Sequence, residues 1–285
     1  PYTITMNANY NLTAVFTEAP PYLFSDGFES GFGNWSGTSG SPSVVSSPVH
    51  HGGYAANFSG QGAYRYAYKT LGSPQSTVYH RFYVQVNELP NAEGEIYDLA
   101  RGYASGTAIY QIGIYYTGGS LYWRFNYRNG ATWTGVNSAP ASISTNTWYC
   151  VELCWKLGAA NGEVHLYVDG VEVAGVTGRD TDNYGGCDTI RNGCSTKIGT
   201  FTGPNIYEDC VVIAQTPIGQ EGVTPPIQYQ LTIEVSGSGG TTDPAPGTHT
   251  YNEGAVVSVA AIPDSGWVLS YWLRNGTNVG SANPY

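Results

Sequence analysis

The chain has 285 residues, with 11 Lys and Arg against 21 Asp and Glu and a formal net charge of −10. That balance argues against a nucleic-acid partner, which needs clustered cations to neutralise phosphates. No apolar run approaches the roughly 18 residues that span a bilayer, and Pro1–Thr5 lacks the basic start and apolar core of a signal peptide.

A mature chain or a fragment of a longer one is therefore expected. With 38 Gly, 24 Tyr and only 11% charged residues, the composition reads as all-β, short strands joined by tight turns. Residues 1–18 carry two alternating runs, Tyr2, Ile4 and Met6, then Leu12, Ala14 and Phe16, around a turn at Asn7-Ala8-Asn9. An isolated two-stranded hairpin is marginal in water, so this one is expected to dock elsewhere. Adjacent prolines at Pro20-Pro21 stiffen a linker over 19–25.

Residues 26–216 form the central domain. Its segments 79–86, 109–116 and 121–128 read as strands, with a polar, aromatic face on each: Tyr79, Arg81 and Tyr83, then Gln111 and Tyr115, then Tyr122, Arg124 and Asn126. If these strands are neighbours, they build a surface on which sugar rings stack and meet a few convergent polar groups. The alternative is a Tyr-rich face left to water or covered by another domain.

Glu93 and Glu95 share a strand face, whereas Asp98 falls on the opposite one. Glu152 reads as an ion-pair partner for an arginine such as Arg81 or Arg124. His50 and His51 are adjacent and so point apart, and His80, His165 and His249 stand alone, so the histidines suggest no metal site. No catalytic set is expected, and the chain reads as a non-enzyme. Asp169-Gly170 marks a hairpin turn.

Cys187 and Cys194 flank a Gly-bearing segment and are expected to close a disulfide hairpin, with free thiols as the alternative. A disulfide implies an oxidising compartment. Either Cys150 or Cys154 is a candidate partner for Cys210, which would leave an odd thiol, and the sequence does not choose between them. Sequons stand at Asn11, Asn34, Asn57 and Asn275, although about three or four would arise by chance in this composition. They agree with a secreted or cell-surface protein.

A Pro-rich linker over 217–227 leads to residues 228–285. There Leu231, Ile233 and Val235 alternate, residues 237–240 turn the chain, and Ala255, Val257, Val259 and Ala261 alternate again. Trp267, Leu269 and Tyr271 make a further period-two run, and Asn275-Gly276 a hairpin turn.

Two resemblances follow. Tyr229–Val235, Tyr251-Asn252-Glu253-Gly254 leading into Val256–Ala261, and Pro263-Asp264-Ser265-Gly266-Trp267 with Trp272 resemble the divergent InlB-type B-repeat of bacterial and archaeal surface proteins. The strands that end that pattern are missing after Tyr285 but stand at Pro1–Phe16. The resemblance thus implies that Ile4, Met6, Leu12, Ala14 and Phe16 complete a neighbouring unit at Trp267 and Trp272. Copies of the chain would then be joined head to tail, as a tandem array or by strand addition, in a structural or adhesive fibre. Arbitrary truncation of a multi-domain protein is the plainer alternative.

The second resemblance is carried by Asp26-Gly27-Phe28-Glu29, Trp148–Leu153, Gly162–Val173 and Asn205–Val212. Together these resemble the concanavalin A-like (laminin G-like) jelly roll, two antiparallel sheets packed face to face. That fold serves lectins, enzymes and spacers alike, so it leaves a carbohydrate-binding module and a glycosidase or lyase as alternatives to the fibre. It also implies a calcium site at Asp26, Glu29, Glu208 and Asp209, where the termini meet, or else a solvated turn capped by carboxylates. The acidic triplet of jelly-roll glycosidases and the Gln-x-His pattern of lyases are absent, since Gln111 is followed by Ile112-Gly113.

Overall fold

Alternation along the central strands leaves each with one apolar face, and these faces are buried against one another. The computed structural model describes residues 22–58, 64–194, 197–198, 205–221, 228–252 and 256–284. Contacts divide the chain between Val223 and Thr224 into two units.

The first unit opens with β1 (Phe24–Asp26), β2 (Gly37–Ser39), β3 (Ser43–Val45), β4 (Ala55–Asn57), β5 (Arg65–Gln75) and β6 (Thr77–Val86). A meander follows: β7 (Ile96–Ala104), β8 (Thr107–Thr117), β9 (Ser120–Asn129) and β10 (Thr132–Asn137). Then come β11 (Tyr149–Lys156), β12 (Gly162–Val168), β13 (Val171–Arg179), β14 (Cys187–Cys194), β15 (Lys197–Ile198) and β16 (Ile206–Ala214). One antiparallel sheet, sheet A, runs β13-β12-β11-β6-β16-β4-β3, with β1 on β16. Sheet B runs β10-β9-β8-β7-β14-β5-β2, with β15 on β7. The fold is an all-β jelly-roll sandwich, with no helix among the described residues.

Strand parity decides what each sheet buries. Phe82, Val151, Leu153, Trp155, Val164 and Leu166 of sheet A share one core with Ile112, Ile114, Trp123, Phe125 and Tyr127 of sheet B. Residues of the other parity face outward. Asp169-Gly170 joins β12 to β13 with φ of 49° and 79°, the left-handed pair that a two-residue hairpin turn requires.

A polar chain crosses this core. His80 Nδ1 meets the Tyr110 hydroxyl at 3.1 Å, and His80 Nε2 meets Asn192 Oδ1 at 2.9 Å. Asn192 Nδ2 and the Gly193 amide donate to the two Glu208 carboxylate oxygens at 2.7 and 3.1 Å. His80 and Glu208 belong to sheet A and Asn192 to sheet B, so the chain fixes how the sheets face each other. Burial drives the Glu208 carboxyl up to about 8 and the His80 imidazole down to about 4.

The expected Cys187–Cys194 disulfide does not form. The two residues end one extended strand, β14, and seven residues of strand span roughly 23 Å, against the roughly 7 Å limit between bridged Cα atoms. The Cys187 thiol instead donates to the Thr189 carbonyl at 3.7 Å. Neither Cys150 nor Cys154 reaches Cys210, because β6 lies between β11 and β16. Of the sequons, Asn34 and Asn275 are exposed, Asn57 is half-buried in β4, and Asn11 lies outside the described residues.

The second unit contains β17 (Gln228–Ile233), β18 (Gly240–Asp243), β19 (Gly247–Asn252), β20 (Ala260–Pro263), β21 (Trp272–Arg274) and β22 (Thr277–Gly280). They pair two by two, β17 with β19, β18 with β20 and β21 with β22. Asn275-Gly276 makes the last turn, with φ of 49° and 78°. The expected strand through Trp267, Leu269 and Tyr271 is irregular backbone instead. Trp267 turns back over Gly239, where any Cβ would collide with the indole. Trp272 donates from Nε1 to the Ala282 carbonyl at 2.9 Å.

Peptide mapping without reduction should therefore recover Cys187 and Cys194 unlinked to each other; a linked pair would contradict the β14 geometry. A second expectation concerns pH. Glu208 is raised from 4.5 to about 8, so its stabilising contribution is complete below pH 4.5 and lost as pH rises towards 8. His80 is lowered from 6.5 to about 4, so its contribution is complete above 6.5 and lost as pH falls towards 4. The two nearly cancel between 4.5 and 6.5, and stability should decline above that range. Urea unfolding across pH checks this, and Glu208→Gln should remove the decline.

Candidate carbohydrate-binding face

Outward parity in sheet B assembles a row across six strands, five of which contribute a polar side chain. Cα partners run Gly135 to Asn126, Asn126 to Gln111, Gln111 to Arg101, Arg101 to Arg191, and Arg191 to Tyr68. At about 4.8 Å between strands, the row is about 24 Å long. Flanking rows add Asn137, Arg124 and Asp98 on one side and Trp133, Arg128 and Tyr103 on the other.

The charges are the informative feature. Arg101, Arg124, Arg128 and Arg191 are four of the chain's 11 Lys and Arg residues, gathered on one face of a protein of net charge −10. Arg101 and Arg191 stand directly opposite each other, an arrangement that like charges disfavour. Asp98 offsets part of the cost through a 2.8 Å bond from Arg101 Nε. Arg191 lies between the rings of Tyr66 and Tyr103, at 4.4 and 4.1 Å from their centroids, and donates to the Tyr103 hydroxyl at 2.9 Å. Burial raises the pKa of Tyr103, keeping its hydroxyl protonated.

Hydrogen bonds lock the neighbouring groups. Asn126 Nδ2 donates to Gln111 Oε1 at 2.9 Å, and Arg124 donates to Asn126 Oδ1 at 3.1 Å and Asn137 Oδ1 at 2.7 Å. Arg124 also lies 4.5 Å from the Tyr115 ring centroid. A Cβ at Gly135 would collide with the Arg124 guanidinium and Asn126 Oδ1, so only glycine leaves room for this cluster. Gln111 Nε2 and Arg191 Nε are buried donors with no hydrogen-bond partner, which is costly unless a ligand supplies one.

The expected surface is thus split. Gln111, Tyr115, Tyr122, Arg124 and Asn126 do share a face, since Gln111 pairs with Asn126 and Tyr115 with Tyr122. Tyr79, Arg81 and Tyr83 lie on β6, in the other sheet. The segment after β16 covers that second group. Ile218 and Gly219 amides donate to Glu152 at 3.0 and 2.7 Å, and the Glu221 amide donates to the Tyr83 hydroxyl at 2.8 Å. Glu152 stands opposite Arg81 in the strand register, but Arg81 forms its salt bridge with Glu221 at 3.6 Å and Glu152 accepts backbone amides instead of the expected ion pair; Arg124 belongs to the other sheet. Arg101 and Arg191 were not among the sequence candidates, because only the pairing of β7 with β14 brings them together.

The four proposed calcium ligands have separate roles. Glu208 and Asp209 are consecutive on β16 and point to opposite faces, Glu208 into the core. Asp26 accepts the Phe28 amide at 2.6 Å, and Glu29 the Gly53 and Tyr54 amides at 2.9 and 3.1 Å. Asp209 accepts the His50, His51 and Cys210 amides at 3.0, 3.1 and 2.7 Å. Among the described residues, no three of these carboxylates come within 4.8 Å of one another. Asp26, Glu29 and Asp209 each accept backbone amides of a turn or loop. Ile4, Met6, Leu12, Ala14 and Phe16 lie outside the described residues.

The two packed antiparallel sheets define a jelly-roll sandwich. Comparisons place it more closely. Residues 80–204 match the family model of the concanavalin A-like lectin/glucanases superfamily, and residues 229–284 match that of the divergent InlB B-repeat domain. An endo-β-1,4-glucuronan lyase from the fungus Trichoderma reesei superposes with a TM-score of 0.55 at 17% identity, covering 69% of this chain and 96% of that one. The cellulose induced protein Cip1 gives 0.52 at 16% identity, with 69% and 99% covered. At these identities the likeness is one of fold. No curated protein sequence matches significantly.

Mutating Gly135 to Val should displace the Arg124–Asn126–Asn137 cluster while leaving the core intact. Amide NMR shifts are expected to change on β8–β10 and to stay put on β11–β13; a global loss of dispersion would contradict a collision confined to this outward-facing cluster.

Proposed function

We propose that the outer face of sheet B binds an anionic polysaccharide, of the uronate class, as a module of an extracellular polysaccharide-processing protein. The observation that carries this reading is the facing pair Arg101 and Arg191, set beside the unsatisfied amide of Gln111 and the rings of Tyr66, Tyr68 and Tyr103. Guanidinium groups match carboxylates in a bidentate fork, and tyrosine faces stack on sugar rings. A neutral glycan would leave the Arg101–Arg191 repulsion unrelieved; a row of carboxylates relieves it. The action of the glucuronan lyase on a polyuronate supports the substrate class, although that likeness is one of fold. Binding without cleavage is the reading, because the Asp98 carboxylate is committed to Arg101.

Calorimetry with the full chain tests it. Polyglucuronate should bind and neutral β-glucan should not. Arg101→Ala and Arg191→Ala should each weaken binding by about 1.5–3 kcal/mol, the worth of a hydrogen bond to a charged group. Equal affinity for neutral and acidic polymers would overturn the proposal, and release of unsaturated oligosaccharide would overturn its non-enzymatic part.

A second reading concerns residues 228–285. Val256 and Trp267 are 99% and 59% exposed, and Ile262, Val268, Tyr271 and Leu273 are exposed as well. Two-stranded sheets are marginal alone, and this much bare apolar surface marks a contact site. We infer that residues 1–17 of another copy complete this unit by strand addition, giving head-to-tail strings. Light scattering should show concentration-dependent growth that deleting residues 1–17 abolishes; globular monomers from the intact chain would sink this reading.

A further inference from the structure

A second cluster, at the covered face of sheet A, has no part in carbohydrate binding. It begins with a flaw in β16. Asp209 pairs with Tyr83 and Val212 with Arg81, so one extra residue is inserted between them. Such a bulge re-aims a side chain, and Cys210 takes φ of 51°, a strained value for a residue with a Cβ. Its sulfur thereby leaves the core parity and comes to 3.8 Å from His50 Nδ1. The same Nδ1 is 3.5 Å from Glu221 Oε2.

Each of these side chains is held from behind. The His50 ring stacks on Tyr83 with centroids 3.6 Å apart and meets the edge of Trp148 at 5.8 Å. Asp209 takes the backbone amides of His50, His51 and Cys210, which fixes the loop against the bulge. Glu221 is anchored by its amide on the Tyr83 hydroxyl, and its other oxygen lies 3.6 Å from Arg81 Nη1. One carboxylate oxygen therefore answers the arginine and the other faces the imidazole and the thiol.

We propose that His50, Cys210 and Glu221 form a zinc-binding site. The three donor atoms lie within 4.8 Å of one another. With Zn–S of 2.3 Å and Zn–N or Zn–O near 2.0–2.2 Å, the edges of a tetrahedral site are about 3.4–3.6 Å long; the S···N and N···O separations already approach these values. One sulfur, one imidazole nitrogen and one carboxylate oxygen is a borderline-soft set that suits zinc and disfavours calcium or magnesium. His51 Nδ1, 3.3 Å from Glu221 Oε2 on an exposed side chain, is the nearest group for the fourth position.

Without a cation the cluster is frustrated. Burial and then the negative charges of Asp209 and Glu221 push the Cys210 thiol up, whereas burial keeps the His50 imidazole neutral, with its lone pair available. Zinc reverses the first effect: the thiol gives its proton to solvent as the S–Zn bond forms. The consequence is structural. The ion would tie the loop before β4, the bulge of β16 and the segment leaving the jelly roll at a single point.

Full-length protein, stripped with chelator and exchanged into metal-free buffer, is titrated with Zn²⁺ by calorimetry and with Co²⁺ by absorption. One zinc per chain and a thiolate-to-cobalt charge-transfer band are expected. Cys210→Ser should abolish the band and weaken zinc binding about tenfold or more, while Cys150→Ser, behind Tyr83, keeps both. His50→Gln and Glu221→Gln provide the same test should the serine variant unfold. No zinc binding at micromolar concentration, a cobalt spectrum lacking the sulfur band, or wild-type affinity in folded Cys210→Ser would each overturn the site.

Discussion

The inner faces of the two sheets pack in one register, and that register determines what the outer faces can do. Because side chains alternate along a strand, placing Ile112, Phe125 and Ile190 in the core forces Gln111, Asn126 and Arg191 outward. A one-residue slip of β14 against β7 would invert every side chain on it and take Arg191 from the face of Arg101. The buried chain from Tyr110 through His80 and Asn192 to Glu208 opposes such a slip, since Asn192 reaches across the core to groups on both β6 and β16. A polar network in a core costs stability unless every member is satisfied. Here it provides registration, and the outer face of sheet B inherits its precision.

The two sheets have been put to different uses by the same alternation. The outer face of sheet A is sealed by the chain itself, with Glu152 collecting the amides of Ile218 and Gly219, so its Tyr and Arg side chains are structural. On sheet B the facing Arg101 and Arg191 are moderated by Asp98 and by the rings of Tyr66 and Tyr103. Clustered guanidinium groups on an acidic protein steer anions to one face while the rest of the surface repels them, which favours a single orientation for a charged polymer.

Much of the fold was legible in the sequence, and for a physical reason. Period-two alternation and turn pairs such as Asp169-Gly170 and Asn275-Gly276 are local signals, read without knowing the neighbours. The strand through Trp267, Leu269 and Tyr271 failed because alternation alone does not supply a pairing partner, and the indole found Gly239 instead. The face was half legible. Aromatic and polar residues of the right parity were visible on β8 and β9, but which strands are adjacent is a non-local fact. That is why β6 was wrongly joined to them, and why Arg101 and Arg191, 90 residues apart along the chain, were missed. The flanking cysteines of β14 looked like a hairpin staple only while the intervening segment was taken to turn. His50 and Cys210 escaped notice for a related reason, since a bulge and a distant loop bring them together with no motif to mark it.

The most direct measurement follows the arginine Nε–Hε resonances of the intact chain by NMR during titration with an acidic oligouronate. Arg101, Arg124 and Arg191 should shift together and saturably, while Arg81, under its cover on sheet A, stays fixed. Shifts confined to Arg81 and the His50 loop, or none on sheet B at saturating ligand, would contradict the assignment of the binding face.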